Sequence, residues 1–270
     1  MIRSLYSGIS GMRGFQTKLD VIGNNIANVN TTGFKASRVM FKDMLSQTIS
    51  GVTAPADGRG GVNAKQIGLG STLGSIDTLH TPGSAMTTNV VTDLRIDGDG
   101  FFVVSPDGEQ QFLTRAGNFT LDSERKLVTS DGMLVLSTDG EGVTLEEDVT
   151  AFSISTSGEI VAINAEGVAE GTGTFIAVAK VTNPAGLEKI GSNMYRVTPN
   201  ANLDEIDIAV GANNTEIGTG AIISGQLEMS NVDLTNEFTE MIVAQRGFQA
   251  NSRIITTSDS VLEEIVNLKR

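Results

Sequence analysis

Three short stretches carry residue types that could do chemistry. In IGLGSTLG, Gly68, Gly70 and Gly74 are spaced G-x-G-x-x-x-G. A dinucleotide loop needs G-x-G-x-x-G opening a helix after a strand, so that backbone N–H groups and the helix N-terminus meet the pyrophosphate. Here the spacing is wrong and no helical apolar period follows, so the stretch reads as a glycine-rich turn or bulge. In DGDGFF, Asp97 and Asp99 could open a calcium loop, but Phe101 stands where the fifth position needs Asp or Asn. That stretch reads as a turn leading into a strand. His80 is the only histidine and lies in LHTPG, predicted as an exposed turn before Pro82. One imidazole does not make a histidine metal site. Cysteine is absent, which removes disulfides, thiolate chemistry and cysteine-ligated metal. Neither a G-x-S-x-G elbow nor a P-loop occurs. A glycosidase-like carboxylate pair is defined by spatial separation, and an acidic chain supplies many such pairs by chance. The expectation is a non-enzyme with no catalytic, cofactor or metal residues.

The elements around these stretches fall into three zones. In residues 1 to about 30, Leu5, Ile9, Met12, Leu19 and Ile26 occupy a and d positions of a heptad, with Gln16 and Gly23 in the other two seam slots. In the last zone Leu234, Phe238, Met241, Phe248, Ile255 and Leu262 repeat the beat, with Asp233 as a candidate N-cap. Between them, FFVVSPDGEQQFL, KLVTSDGMLVL and ISTSGEIVAI alternate apolar runs with Asp-Gly or Ser-Gly turns, the pattern of β-hairpins. The fold class predicted is α+β: discontinuous terminal coiled-coil helices (1–30 and 232–270, an inner domain), an extended or looped connection over 31–75, and an all-β outer domain over 76–231. Residues 51–64 read as a flexible surface loop or linker. Gly8, Gly11, Gly14 and Gly23 each cost a helix on the order of 1 kcal/mol against Ala, so the first helix should need packing partners to form.

Net charge is −13 over 270 residues, but it is unevenly spread. Residues 1–50 carry +4 and residues 231–270 carry −2, which leaves −15 for the middle by difference. An acidic body lacks the clustered Lys and Arg that phosphates require, so no nucleic-acid partner is expected. No apolar run approaches the roughly 20 residues of a membrane span, so no membrane insertion is expected. The N-terminus also lacks the apolar core of about 7–15 residues that a cleaved signal peptide needs.

The stretches SLYSGISGM, LDVIGNNIANVNTTGFKASRVMF, GDGFFVV, TRAGNFTLD and MIVAQRGFQANSRIITTSDSVLEEIVNLKR closely resemble the bacterial flagellar rod and hook proteins. The family motif is carried by Asn24, Asn25, Asn28, Gly33 and Phe34. Within the family, LDSERKLVTSDGM, MFKDMLSQT and NLKR tilt the resemblance to the short-form hook branch, with the distal rod branch as the alternative. The resemblance implies a structural subunit of a helical homopolymer, in the hook case a flexible tubular joint that passes motor torque to the filament. It implies terminal helices lining an axial channel and a β domain on the tube surface. Its implied partners are the distal rod protein, the hook cap and hook-filament junction proteins, and the type III export apparatus. Its implied location is extracellular, in the flagellum, without signal cleavage. Phe41 and Leu45 resemble the Phe-x-x-x-hydrophobic element that export gates recognise. The apolar a and d residues above are the candidate assembly interface, and the asparagines are a candidate subunit-to-subunit hydrogen-bond register.

Overall fold

The computed structural model describes residues 2–55, 60–108, 110–145, 149–164, 169–202, 208, 211–214 and 217–268. Its architecture is α+β. The chain divides into two compact units, Met1–Ala27 with Ser37–Thr78 and Asp233–Arg270, and Asn28–Ala36 with Leu79–Val232.

The first unit holds helix α1 (Ile2–Ala27) and helix α2 (Leu234–Leu268). Asp233 caps α2, its Oδ1 accepting from Thr235 N at 2.9 Å, which satisfies a donor that a helix start leaves without an intrahelical partner. Lys269 and Arg270 lie outside the described residues. The helices pair antiparallel: Gly8 lies against Ile255, Gly11 against Asn251, and Gly247 against Phe15. Close approach explains glycine at 247, where a Cβ would come 2.5 Å from the Phe15 ring.

Strand β1 (Ser37–Asp43) pairs antiparallel with β4 (Ser71–Thr78), from Ser37↔Thr78 to Asp43↔Ser71. Strand β2 (Ser46–Ser50) pairs with β3 (Lys65–Gly68), and a bridge joins Thr53 to Val62. The stretch read as an extended or looped connection is therefore a long two-stranded ribbon. Of residues 51–64, read as a loop, 56–59 lie outside the described residues. The IGLGSTLG stretch runs from one strand into the next, with no helix after it.

The second unit is β-rich. Its largest sheet orders Glu188–Gly191, Met194–Arg196, Phe112–Thr114, Phe101–Ser105, Leu134–Val135, Leu127–Val128 and Thr120–Leu121, with Val178–Ala179 pairing on Phe101–Ser105. The three hairpins read from turn chemistry form: Phe101–Ser105 pairs with Phe112–Thr114, Leu127–Val128 with Leu134–Val135, and Val149–Ile154 with Glu159–Asn164. The central strand FFVV is apolar at every position because both its faces are covered. Phe102 and Val104 enter one core with Leu94, Phe119 and Ile176, while Phe101 and Val103 enter another with Leu113, Leu136 and Tyr195.

Candidate assembly interface

The two helices touch through a stripe that hydropathy does not mark. In α2 it runs through Glu237, Glu240, Met241, Ala244, Gly247, Asn251, Ser252, Ile255, Ser258 and Leu262, of which Ala244 is fully buried and the others partly. Small and polar side chains fill it, which lets the helix backbones come close. The bulky apolar residues mostly face out: Leu234 is 38% exposed, Phe238 50% and Phe248 37%, joined by Ile242, Val243, Ile254, Val261 and Ile265. Of the predicted α2 residues, only Met241, Ile255 and Leu262 turn inward. In α1, Leu5, Met12, Leu19 and Ile26 are partly buried, Ile9 is exposed, and Ile22, off the heptad seam, is buried at 4%. These exposed apolar side chains lie on both flanks of the stripe that meets α1 and form the candidate interaction surface. The ribbon adds to it. Phe41 is 40% and Leu45 84% exposed, with the Phe41 ring 6.0 Å from that of Phe15.

The asparagine-rich motif is divided in its roles. Asn24 is exposed, whereas Asn25 is only 1% exposed. Its amide spans the start of β1: Oδ1 accepts from Ser37 N at 3.0 Å and Nδ2 donates to Ser37 O at 2.8 Å. Nδ2 also donates to Glu237 Oε1 at 3.0 Å, tying α1 to α2. The expectation that Asn25 registers one subunit against another is thereby corrected, because its donors are committed inside its own unit. Burial raises the Glu237 carboxyl above its ordinary range, and the Asn25 bond opposes that shift. Asn28 Oδ1 accepts from Thr31 Oγ1 at 3.1 Å. Lys18 and Glu240 form a further ion pair between the helices.

Gly33 and Phe34 belong to the second unit. Gly33 has φ +70°, and a Cβ there would meet the backbone of Arg115 and Ala116, so both conformation and space require glycine. Phe34 is buried, with Lys189 Nζ 5.1 Å above its ring. The next residue, Lys35, carries a feature that the sequence reading missed. Its side chain is fully buried and donates to Glu228 Oε1 at 2.6 Å and to Thr81 O at 2.7 Å. Glu228 also accepts from Gly83 N at 2.9 Å and Arg115 Nη1 at 3.3 Å, while Arg115 Nη2 donates to Gly98 O at 2.9 Å. Burial holds the Lys35 and Arg115 cations below their ordinary pKa values, opposed by Glu228. Buried charges persist only when paired and hydrogen-bonded in this way. Asn231 completes the cluster, accepting from Ala36 N at 2.8 Å and donating to Leu79 O at 2.8 Å. No sequence signal joins residues so far apart, although a lysine following Gly-Phe in a buried turn violates hydropathy.

His80 is not the exposed turn residue expected. It packs against Phe101 and Tyr195, with ring centroids 5.8 and 5.5 Å away. Its Nδ1 has no hydrogen-bond partner among the described residues. Burial, reinforced by the positive charges of Lys35, Lys189 and Arg115, lowers its pKa to about 4, so it is neutral at pH 7. Burial likewise raises the Tyr195 phenol above its usual value. Among the described residues no group of three or more His, Cys, Asp or Glu could hold a metal ion, and no helix is long and apolar enough to cross a membrane.

Three family models match the chain. "Flagella basal body rod protein" covers residues 5–35, "Flagellar hook protein FlgE/F/G D1 domain" residues 95–162, and "Flagellar basal body rod FlgEFG protein C-terminal" residues 223–268. The flagellar basal-body rod protein FlgG of Bacillus subtilis (strain 168) is 56% identical over 271 residues, covering the whole of both chains. The chain belongs to the flagellar rod and hook protein family. Two more distant members also match along their whole length. The FlgG rod protein of Borreliella burgdorferi is 37% identical over 280 residues and covers both chains in full. The FlgE hook protein of the same organism is 30% identical over a 448-residue alignment that also covers both in full. These similarities favour the rod branch over the hook branch expected from sequence. One hook cue has a local cause: within LDSERKLV, Arg125 sits at φ +58°. Glycine is the easy choice in that conformation, and a larger residue there costs on the order of 1–2 kcal/mol. A difference at that turn reports backbone chemistry and says little about place in the flagellum.

Proposed function

We propose that this family member is a structural subunit of the flagellar basal-body rod, in its distal part, with no catalytic role. The observation that carries this reading is the 56% identity to a rod protein across the whole of both chains, without the added length that hook relatives align against. Assembly proceeds through coiled-coil packing of the terminal helices between copies. The outward residues Leu234, Phe238 and Phe248, with Ile9 on α1, supply the contacts, and burying the part of each side chain still exposed contributes on the order of 1 kcal/mol. Leu5, Met12, Leu19, Ile26, Met241, Ile255 and Leu262 join these interfaces while also shaping the helix pair. The α1 glycines keep that helix weak in isolation, which suits a chain exported unfolded by the type III apparatus without signal cleavage, with Phe41 and Leu45 presented as the export element. Its neighbours are other copies and the rod and hook proteins on either side.

The test is electron microscopy of polymers grown from the purified chain. Short straight tubes are expected of a rod subunit. Flexible curved tubes would replace this reading with the hook.

A further inference from the structure

An open groove of about 570 Å³ lies in the first unit between α1 and the ribbon, on a side of α1 that α2 does not cover. Tyr6 and Ile9 from α1 and Met44, Leu69 and Leu73 from the ribbon make it apolar. Arg3 and Arg13 line it, and among the described residues no acidic one does. Tyr6, at 68% exposure, leaves most of its ring in solvent.

The chain also carries a segment complementary to this groove. Along α2, Ile254, Val261, Ile265 and Leu268 are exposed at 44, 39, 47 and 86%. They share one helix face at the i, i+7, i+11, i+14 spacing. Between Arg253 and Lys269 the only charged residues are Asp259, Glu263 and Glu264, all acidic. Lengths also agree. The groove follows α1 from Arg3 to Thr17 and the stripe follows α2 from Ile254 to Leu268, each about 21 Å at 1.5 Å per residue. At its N-terminal end the stripe touches its own α1, where Ile254 lies with Asn251 and Ile255 beside Gly8, while Val261, Ile265 and Leu268 stay exposed.

We propose that the C-terminal half of α2 from a second copy lies in this groove, its Ile254–Leu268 stripe against Tyr6, Ile9 and Leu73 and its Glu264 beside Arg13. The contact joins two different surfaces, so it repeats head to tail, closing into a ring or running on as an open helical polymer according to its rotation and rise; the rod reading takes the open form. It rests on the assembly role proposed above and adds which surface meets which.

The chain has no cysteine, so disulfide trapping reads the contact directly. Tagged Ile9→Cys and Ile265→Cys chains are produced together with wild-type copies in flagellated cells, which carry a poorly assembling variant into the polymer. Basal bodies are then isolated and oxidised. The expected product is a 9–265 disulfide dimer, with none from either variant alone. A chain bearing both changes should give a ladder of multimers. Separately, Arg13→Glu and Glu264→Arg should each cut incorporation at least tenfold, and the double variant should recover it. Basal bodies that contain the tagged chains but yield no 9–265 product, or homodimers from one variant, overturn the contact and leave the rod reading intact. Absence of wild-type chain from basal bodies overturns the rod reading, and this contact with it.

Discussion

Replacing Lys35 with Met tests whether the buried charge cluster holds the β-rich unit together. Methionine keeps the length and apolar stem of the side chain and removes only the ammonium. Glu228 would lose its shortest partner, at 2.6 Å, and Thr81 O would lose a donor at 2.7 Å. Arg115 Nη1 at 3.3 Å and Gly83 N at 2.9 Å would remain on the carboxylate. Breaking a buried pair from one side costs about 3–5 kcal/mol. The surviving donors place this case at the lower end, about 3 kcal/mol. At about 2–4 °C per kcal/mol for a unit of this size, Tm should fall by roughly 6–12 °C. The assay is thermal unfolding of the purified chain at pH 7, followed by circular dichroism in the β region. Lys35→Met with Glu228→Gln should lose more than the single variant, because it leaves the buried Arg115 guanidinium without its counter-charge. A shift under 2 °C in the single variant would refute the reasoning, since it would mean that Glu228 is adequately solvated without Lys35.

Three further outcomes follow from the geometry. Asn25→Leu removes three hydrogen bonds at a site 1% exposed, so the helical unit should lose about 2–3 kcal/mol, visible as earlier loss of helical ellipticity on heating, while the β-rich unit melts unchanged. His80 has a folded-state pKa of about 4 against an ordinary 6.5. The unfolded chain therefore takes up its proton first, so its stabilising contribution is complete above about pH 6.5 and is lost as pH falls toward 4, by up to about 3 kcal/mol. His80→Phe should flatten that part of the Tm–pH curve, and an unchanged slope would count against it. Phe238→Asp, at a position 50% exposed, should leave the monomer's Tm within about 2 °C, since surface changes cost within about 0.5 kcal/mol, and should abolish polymers in sedimentation; polymers of normal yield would remove this face from the interface.

Much of the layout was legible from sequence. Both helices come from the heptad beat, and α2 begins where Asp233 caps it. The hairpins come from Pro-Asp-Gly and Ser-Asp-Gly turns; Gly108 and Gly132, for example, have φ +83° and +81°. The direction of the helix faces was not legible. An apolar stripe is buried somewhere, but in α2 the stripe through Ala244, Gly247 and Asn251 meets α1, and Phe238 and Ile265 point away. Small residues gave the closer fit within the chain, and periodicity alone does not weigh close approach against apolar area. Asn25 was visible as an oddity of type, yet its partner Ser37 lies beyond the helix end and depends on where β1 starts. The Lys35–Glu228 pair was invisible because its members are 193 residues apart and because charge patterning expects lysine in solvent.

Imaging basal bodies from flagellated cells that lack only this chain tests the central claim most directly. If the chain builds the distal rod, they should carry a truncated rod and nothing beyond it. Basal bodies with a complete rod that lack only the hook would contradict the account.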